Sequence, residues 1–425
     1  MARVLKHRID NGAPDAPERD AAPAASRTAP RFERRRADII AAAIPVLNGQ
    51  GFKGMRLTAV AELIGLRATG VTYYFPRKEE LAVACIESGL AIFHELLAVA
   101  EQERDVRSRI ARLVELFVER DAAVRLGEAA PLASFSIIRA LEGPHHDRVV
   151  ESYRKMFRRV RALFETPELP ALDKVSRSIR TIVLLEQLYW ANIWLGDYDF
   201  DEFPRLARRM TDVIADGIAP EGVSFLPGEM TLRSGADASD AAKENFLLAA
   251  TRQINAHGYR GASVDRISAS LNLTKGAFYH HNEAKDDLVA ACFRRSFNIM
   301  REALRQVRGQ GPDEWWRLTT SVTSLIRFQL GPEGPLLRSA VLSSMPHEHQ
   351  VEAMNHSYKA SRQFASMIAD AISEGSARPV DPAVAGSFLH AAINVASDVR
   401  MMRMATADRV ERDFARPLFH GLLRP

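Results

Sequence analysis

Apolar residues recur at spacings of three and four along most of the chain from residue 34 onward, and strand-like alternation is scarce. This pattern predicts an all-α fold. The helices predicted in the first half cover 34–49, 57–64, 68–74, 78–101, 105–125, 145–165, 172–195 and 202–218. Helical patterning resumes near residue 241 and continues to residue 425.

Two segments lack this periodicity. Residues 1–33 are rich in Ala, Pro and Arg, which predicts a disordered basic tail because such a segment buries too little to offset its ordering entropy. Residues 219–240 carry Pro, Gly and Ser punctuation and are typical of a linker.

The second half of the chain repeats the first. Gly51 aligns with Gly258 at an offset of 207 residues. Without a gap, the same offset pairs Ala42 with Ala249, Asn48 with Asn255, Leu66 with Leu273, Lys78 with Lys285 and Cys85 with Cys292. Further on, "GEAAPL" aligns with "GPEGPL" at an offset of 204. We therefore expect two related units in one chain.

Both units open with the same local pattern. A Gly-aromatic turn, "GFKG" or "GYRG", leads into a short helix, a tight turn, a second short helix and a long helix that starts with Lys and two acids. Gly65 and Asn272 occupy the tight turn, and both residue types tolerate positive φ. The arrangement describes a helix-turn-helix, whose second helix enters the DNA major groove. Other helical hairpins can imitate it.

The stretch "GYRGASVDRISASLNLTKGAFYHHNEAKDDL" resembles the tetracycline-repressor-like (TetR) family of transcriptional regulators, and so does "GFKGMRLTAVAELIGLRATGVTYYFPRKEEL". In that family, the DNA-binding module precedes a helical domain that binds a small ligand and dimerises through its last two long helices. The resemblance implies DNA-binding domains at 34–82 and 241–289, and sensor and pairing domains at 83–218 and 290–425.

Two such units in one chain imply an intramolecular pseudo-dimer, paired through helices at about 172–218 and 382–423. Further dimerisation of chains stays open. The two readers also differ. Asn282 stands where the first unit has Phe75, and Arg56 replaces the helix cap that Ser263 supplies, a cap worth about 1 kcal/mol. We therefore expect an asymmetric double-stranded DNA operator.

Family positions give the candidate DNA contacts. Phosphate contacts set affinity and base-edge contacts set sequence. The phosphate candidates are Arg56, Tyr74 and Lys78 in the first unit, and Ser263, His281 and Lys285 in the second. The base-edge candidates are Arg67, Ala68, Thr69 and Tyr73, and then Thr274, Lys275, Gly276 and His280. For each of them the alternative is a solvated surface side chain.

Charge distinguishes the two readers. The whole chain has a net charge of +4, which permits nucleic-acid binding without implying it. Residues 34–82 hold eight Lys/Arg and four Asp/Glu, whereas residues 240–289 hold six of each. Fewer cations weaken the attraction to phosphate. We therefore expect the first reader to contribute more binding energy than the second.

Enzyme signatures are weak in this sequence. It contains no P-loop, dinucleotide fingerprint, HExxH motif or nucleophile elbow. The His-rich segments "PHHDRVVE" and "PHEHQVEAMNH" suggest either metal clusters or ordinary helix starts. No enzyme activity, metal or cofactor is expected, and a metal-dependent enzyme stays as an alternative.

The cellular context follows from cysteine and apolar content. Two cysteines in 425 residues fit a reducing cytosol. We find no signal peptide and no apolar run of the roughly 18 residues that a membrane span needs. A cytoplasmic protein without membrane contact is expected.

Aromatic residues of the middle helices are candidates for effector pockets, with plain core packing as the alternative. They are Phe117, Phe135, Tyr189, Trp190 and Trp194 in the first half, and Trp315, Trp316, Phe328 and His390 in the second. Such a lining suits an apolar or aromatic small molecule. The sequence as a whole predicts a repressor that such a ligand releases from its operator. A helical interaction protein with one degenerate reader is the other alternative.

Overall fold

The computed structural model describes residues 25–233, 238–262, 264–270, 285–345, 347–401 and 409–424. Every regular element in these ranges is helical, so the all-α prediction is confirmed. The first half contains α1 (Ala25–Gly54), α2 (Leu57–Leu63), α3 (Ala68–Tyr74), α4 (Lys78–Ala100), α5 (Val106–Arg125), α6 (Gly143–Ala162), α7 (Lys174–Trp194) and α8 (Phe203–Asp216).

The second half follows the same order as far as it is described. Its helices are α9 (Ala238–Gly261), α10 (Val264–Ser270), α11 (Lys285–Gln306), α12 (Glu314–Leu330), α13 (His347–Ser373), α14 (Pro382–Met401) and α15 (Arg416–His420). A π-helix at Val410–Ala415 leads directly into α15.

Local sequence signals set several helix ends. Asp105, Asp173 and Asp313 each cap a helix by accepting a hydrogen bond from the backbone amide three residues later. Gly51 and Gly258 break the helices α1 and α9 at equivalent positions, with φ of 65° and 73°. Glycine adopts this left-handed conformation at little cost, so each break turns the chain toward the next helix.

The structure departs from the sequence prediction at three places. The helix α1 begins at Ala25, so the tail predicted at 1–33 overlaps it, and residues 1–24 lie outside the described ranges. The helix α9 begins at Ala238, inside the predicted linker. Short 3₁₀ helices at Phe135–Ala140 and Ser339–Ser344 were not predicted, because six residues are too few to show a helical period.

The linker lies against the second half. The Trp315 indole donates a hydrogen bond to the Ser224 carbonyl at 3.4 Å. The ring of Phe225 packs on that of Phe419 at 5.5 Å, and the Gly228 amide donates to the Thr320 hydroxyl at 2.7 Å. Residues 223–232 therefore form part of the packed structure.

The central helix of the first unit is α4, which packs against α1, α5 and α6. The helix α4 is long and apolar enough to span a membrane, since one 18-residue window has a mean hydropathy of 1.7. The sequence pattern did not identify this window. Half of that window is buried within the protein, and Leu81, Phe93 and Leu97 are fully covered. Such burial is typical of a core helix.

The two halves contact each other through their last helices. The helices α7 and α8 pack against α14, and α7 also contacts the π-helix. Beyond α8, the amides of Ile218 and Ala219 donate to the Phe419 carbonyl at 2.7 and 2.8 Å. In return, the Leu422 amide donates to the Ile214 carbonyl at 2.8 Å. The chain ends of the two halves thus exchange backbone hydrogen bonds reciprocally.

The first helices of the two units meet as well. The helices α1 and α9 contact each other, and each also packs on both 3₁₀ helices. Asn48 and Asn255 hold the segment before the 3₁₀ helix of their own unit in the same way. Asn48 donates to the Leu132 carbonyl at 2.8 Å, and Asn255 donates to the Leu336 carbonyl at 2.9 Å. This equivalence of contacts matches the sequence repeat.

Candidate nucleic-acid interface and sensor core

The first helix-turn-helix is built on a small apolar core. Val60 and Ala61 of α2 and Val71 of α3 are buried, together with Phe75 just beyond α3. Gly65 occupies the tight turn with φ of 63°, as its position predicted. Because α3 buries only one face, its other side chains remain at the surface.

That outer surface carries most of the predicted contact residues. Arg67 and Thr69 are exposed, and Tyr73 is 73% exposed although it is a large aromatic side chain. Ala68 and Tyr74 are half-buried. Arg56 is exposed at the start of α2 and forms no side-chain cap, in agreement with the loss of a Ser or Thr at that position.

An aromatic contact ties the start of α1 to α3. The ring of Phe32 lies 4.7 Å from that of Tyr74 and 6.1 Å from that of Tyr73. Arg31 and Arg34, the neighbours of Phe32 in sequence, are exposed. The sequence predicts a disordered tail as far as residue 33, whereas Phe32 belongs to α1 in the structure. The signal that could have identified it is the apolar Phe32 within "RFERRR", two residues before the predicted start of the first helix.

Two equivalent lysines contact equivalent rings. The Lys78 ammonium lies 4.7 Å from the Phe52 ring centroid, and the Lys285 ammonium lies 4.9 Å from that of Tyr259. A cation held over an aromatic face keeps its charge while its stem packs. The Tyr259 hydroxyl also donates a hydrogen bond to the Asp286 carboxylate, so an acidic group lies close to the ring that Lys285 contacts. Phe52 has no hydroxyl and cannot make the equivalent hydrogen bond.

Most of the second reader's predicted contacts lie outside the described residues. These are Ser263, Thr274, Lys275, Gly276, His280 and His281. Asn282, the aromatic-to-amide difference between the units, lies there too. Lys285, at the first position of α11, is described.

The two cysteines are buried at equivalent places. The Cys85 and Cys292 thiols donate to the carbonyls of Ile40 and Leu247 at 3.8 and 3.6 Å. Burial raises the pKa of each thiol to about 12. The reactive thiolate is therefore disfavoured, and both side chains act as small core residues.

Residues 246–292, which begin in α9 and end in α11, match the family "Bacterial regulatory proteins, tetR family". This part of the chain is therefore similar to the tetR family. The match covers the residues predicted to form the second helix-turn-helix, and the repeat aligns them with the described helices α2 and α3 of the first half.

Two relatives of known type match parts of the chain. The Transposon Tn10 TetC protein of Escherichia coli is 47% identical over 38 residues, which is 9% of this chain and 19% of the relative. The HTH-type transcriptional regulator RutR of Escherichia coli K12 is 33% identical over 81 residues, which is 19% of this chain and 38% of the relative. The chain therefore spans about a fifth and about two fifths of the lengths of these relatives.

Two solved structures align with less than half of the chain. A TetR-family transcriptional regulator from Bordetella parapertussis is 19% identical, with 43% of this chain and 94% of that protein covered at a TM-score of 0.35. AibR in complex with isovaleryl coenzyme A and operator DNA is 16% identical, with 42% and 97% covered at a TM-score of 0.35.

Behind the first tetR-like reader, three of the predicted pocket residues form one aromatic cluster. Tyr189 of α7 lies 5.4 Å from Phe135 and 6.0 Å from Phe117, and the ring of Phe93 joins at 6.5 Å from Tyr189. The Tyr189 hydroxyl is buried without a hydrogen-bond partner in the described structure. Burial raises the pKa of Tyr189 well above its usual value, so the hydroxyl stays neutral.

The remaining pocket candidates lie apart from that cluster. Trp190 faces the second half, with its ring 5.3 Å from His390, and Trp194 packs on Tyr198 at 6.0 Å. Trp315 donates a hydrogen bond to the linker carbonyl of Ser224. Trp316 also packs on the linker, so closely that a Cβ at Gly228 would lie 2.2 Å from its ring. Phe328 lies beside Arg295 at 5.8 Å. The second-half candidates are therefore dispersed.

Sequence reasoning missed a buried ionic network between the two halves. Arg139, on the first 3₁₀ helix, donates to the Asp398 carboxylate at 3.1 Å and to the Asn255 carbonyl at 3.2 Å. Arg338 of the second half donates to the same carboxylate. Burial lowers the pKa of Arg338 to about 9. Burial also raises the pKa of Glu186, while the positive charges of Arg338 and Arg139 act to lower it. Distant residues meet here, so no local motif marks the network.

The His-rich segments do not assemble a metal site among the described residues. No group of three or more His, Cys, Asp or Glu side chains is placed there to hold an ion. His146 of α6 instead contacts the neighbouring Asp147 at 3.2 Å.

Proposed function

We propose that the chain is a cytoplasmic, DNA-binding transcriptional regulator with two helix-turn-helix readers. The observation that carries the proposal is the surface of α3, where Arg67, Thr69 and Tyr73 project outward from a buried Val71. An exposed arginine, hydroxyl and aromatic ring on a second helix supply the groups that read a major groove.

The start of α1 extends this interface. The packing of Phe32 on Tyr74 brings Arg31 and Arg34 to the side of α3, where their charges add to those of Arg67 and Lys78. Arginines flanking a reading helix suit phosphate contacts. The first reader, extended to Arg31, is accordingly the stronger of the two.

The two readers favour an asymmetric operator. They differ at positions that face DNA in the family, and both belong to a single chain, so their order on DNA is fixed. The proposed readers cover 34–82 and 241–289, and the proposed sensor and pairing domains cover 83–218 and 290–425. Because α1 begins at Ala25, the first reader extends before residue 34.

An electrophoretic mobility shift on the DNA upstream of the protein's own gene tests this function. We expect a shift at nanomolar protein that unrelated DNA of equal length does not compete away. Arg67→Ala is expected to weaken the specific complex about tenfold or more, since one bidentate base contact contributes roughly 1–3 kcal/mol of discrimination. A protein that shifts all DNA equally, or none, would favour the helical interaction protein instead.

We further propose that the halves pair within one chain, as a pseudo-dimer. The reciprocal hydrogen bonds between Ile218 and Phe419 and between Leu422 and Ile214 support it, as do the contacts of α7 and α8 with α14. Light scattering should give the single-chain mass of 47.3 kDa at micromolar concentration. A stable mass of twice that value would show that pairing between chains is required.

The effector site is proposed at the aromatic cluster of the first half. Phe93, Phe117 and Phe135 pack on the ring of Tyr189, and its buried hydroxyl has no hydrogen-bond partner in the described structure. An unsatisfied buried hydroxyl costs roughly 1–3 kcal/mol. An apolar or aromatic ligand with one polar atom would satisfy it. Binding there releases the operator if the ligand favours the DNA-incompetent state.

A release screen identifies the effector. Labelled operator bound to the protein is challenged with a panel of apolar and aromatic small molecules, and release is followed by fluorescence anisotropy. Tyr189→Phe should reduce the response to any active compound that carries a polar atom, while operator affinity stays unchanged. Equal responses of both proteins would place the site elsewhere.

A further inference from the structure

A basic groove lies outside both the reader and the aromatic cluster. It runs between the start of α9, the outer face of α11 and α13, with a cavity volume of about 1160 Å³. A smaller cavity of about 240 Å³ shares Arg294, Asn298, Arg301 and Gln363 with it, so the two are continuous. The larger volume is slightly above the roughly 300–1,000 Å³ that is typical of small-molecule pockets.

The charge of this groove is strongly unbalanced. The cations along it are Arg233, Lys243, Arg294, Arg295, Arg301, Arg305 and Arg308, and the acids are Glu244 and Glu302. Both acids are already engaged. Glu244 pairs with Arg295, and Glu302 accepts from Arg305 at 2.6 Å, which with Gln306 lowers its pKa to about 2.

The other cations have no carboxylate among the described residues. Arg301 donates only to the neutral Asn298 side chain, at 2.8 Å. Arg294, Arg301 and Arg308 fall at i, i+7 and i+14 on α11 and its end, so they line one face. Gathering like charges without a counter-charge is unfavourable unless an anion joins them.

The first unit serves as an internal comparison. On α4, the positions equivalent to Arg294 and Arg308 are Glu87 and Glu101. Arg148 of α6 donates twice to Glu87, at 2.7 and 2.6 Å, and Arg159 donates twice to Glu101, at 2.8 and 2.7 Å. Two bidentate ion pairs therefore close the same helix pair in the first unit.

The second unit does not repeat these two ion pairs. Arginines replace the two acids, and Gln363 stands on α13 where the 204-residue offset places Arg159. Glu352 stands where the same offset places Arg148, but it lies 3.9 Å from the His356 imidazole and pairs with no arginine among the described residues. The helices α11 and α13 therefore leave an open groove between them. Phe297 lines the smaller cavity, where its ring stacks on His356 at 5.0 Å.

Operator DNA is a poor occupant for this surface. The first residue of α11, Lys285, lies on the reader side, and Arg301 follows it by 16 residues, or roughly 24 Å along the helix. The cations of α11 therefore extend away from the reader, and Lys359 of α13 lines the adjoining cavity.

We propose that this groove binds a small molecule that joins a flat ring to two or more phosphate groups, the chemistry of a nucleotide. Arg294, Arg301 and Arg308 supply guanidinium donors for the phosphates, since arginine matches phosphate geometry in bidentate contacts. The Phe297–His356 pair supplies a stacking surface for the ring. This site is separate from the proposed effector cluster around Tyr189 and does not depend on it.

Isothermal titration calorimetry of the full-length protein with ATP tests the proposal, with tripolyphosphate as the ringless probe. We expect saturable binding of ATP near one per chain, weaker binding of tripolyphosphate, and loss of affinity as salt rises. The double variant Arg294→Glu and Arg301→Glu should lose at least a hundredfold, because each charge-assisted contact contributes roughly a tenfold factor.

A second variant keeps both arginines. Gln363→Glu places a carboxylate at the position equivalent to Arg159, where Arg308 is equivalent to Glu101, so it would restore that ion pair with the charges exchanged. It should weaken ATP binding about tenfold without removing any cation. Arg208→Glu, an exposed arginine on α8, has the same charge change as one groove substitution and should bind like the parent. Mobility shift with the operator should be unaffected by Gln363→Glu, which separates this site from DNA binding.

Three outcomes would overturn the proposal. They are no saturable binding of either probe to the parent protein, equal binding by the groove variants and the parent, and an equal loss in Arg208→Glu. Tripolyphosphate binding as tight as ATP would remove the ring from the ligand's description.

Discussion

Gly217 and Gly421 occupy equivalent positions of the two halves, and each lies directly against the backbone of the other half. A Cβ on Gly217 would come within 2.1 Å of the Phe419 carbonyl oxygen, and one on Gly421 within 2.2 Å of the Ala215 carbonyl oxygen. Their φ angles are 70° and 95°, which also favour glycine. Both glycines are therefore required by the contact between the halves.

Gly217→Ala should destabilise the protein by at least ~2 kcal/mol, because backbone strain and a clash with the other half add. Gly222→Ala is the matched control, since Gly222 has φ of 76° and open space around its Cβ position. Chemical denaturation of the three proteins measures the difference. Equal losses in both variants would show that the positive φ alone causes the destabilisation, and that the halves move apart to accommodate the added methyl group.

Lys78→Ala should weaken operator binding more than Lys285→Ala, because the first reader is the more basic and Asp286 lies beside the second lysine. The slope of log affinity against log salt should fall by about one for Lys78→Ala. Fluorescence anisotropy at several salt concentrations measures both effects. A larger loss from Lys285→Ala would reverse the assignment of the stronger reader.

Asp398→Ala should cost about 3–5 kcal/mol, since it leaves Arg338 buried without its carboxylate. Asp38→Ala removes a carboxylate from an exposed pair with Arg35 and should cost less than about 1 kcal/mol. Urea titrations compare the two. A small loss of stability in Asp398→Ala would mean that water or Glu186 replaces the Asp398 carboxylate beside Arg338.

His390 should make the protein less stable in acid. Burial lowers the pKa of this side chain to about 4, below the value of about 6.5 that it has when unfolded. The unfolded chain therefore binds the proton more readily. The stability from the neutral form is fully present above pH 6.5 and is lost as pH falls toward 4. The ring accepts or donates at Ser361, 3.1 Å away, and contacts Trp190.

Urea denaturation at pH 7 and pH 4.5 checks this for the parent and His390→Gln. The parent should lose more stability than the variant between the two pH values, because glutamine does not titrate. Identical pH dependence would show that other groups control acid stability.

Sequence reasoning predicted the helices of the first half closely. The helices α3 and α5 fall within a residue of their predicted ends, because apolar spacing and caps such as Asp105 are local signals. Lys78 and Lys285, which the repeat makes equivalent, each lie over an aromatic ring in the structure, and their phosphate contacts stay a prediction. The start of α1 was placed too late, because Pro30 and a run of arginines obscured the period.

The candidate sites were predicted less completely. The sequence supplied Phe117, Phe135 and Tyr189 as pocket residues, and these three meet, but Trp190 and Trp315 face the other half and the linker. Aromatic content alone cannot show which way a side chain points around a buried helix. The basic groove was missed for a related reason, since its cations come from the linker, α9 and α11.

The sequence by itself determined the helical class, the repeat of one half in the other and the chemistry of the outer face of α3, because these depend on spacing within a few residues or on comparison of one half with the other. Tertiary structure alone decided the partner of each charge. Arg159 closes a helix pair in the first unit, Arg294 lines an open groove in the second, and Arg139 reaches Asp398 in the opposite half. A charge acts over a few ångströms in space, and only the fold determines which residues come that close.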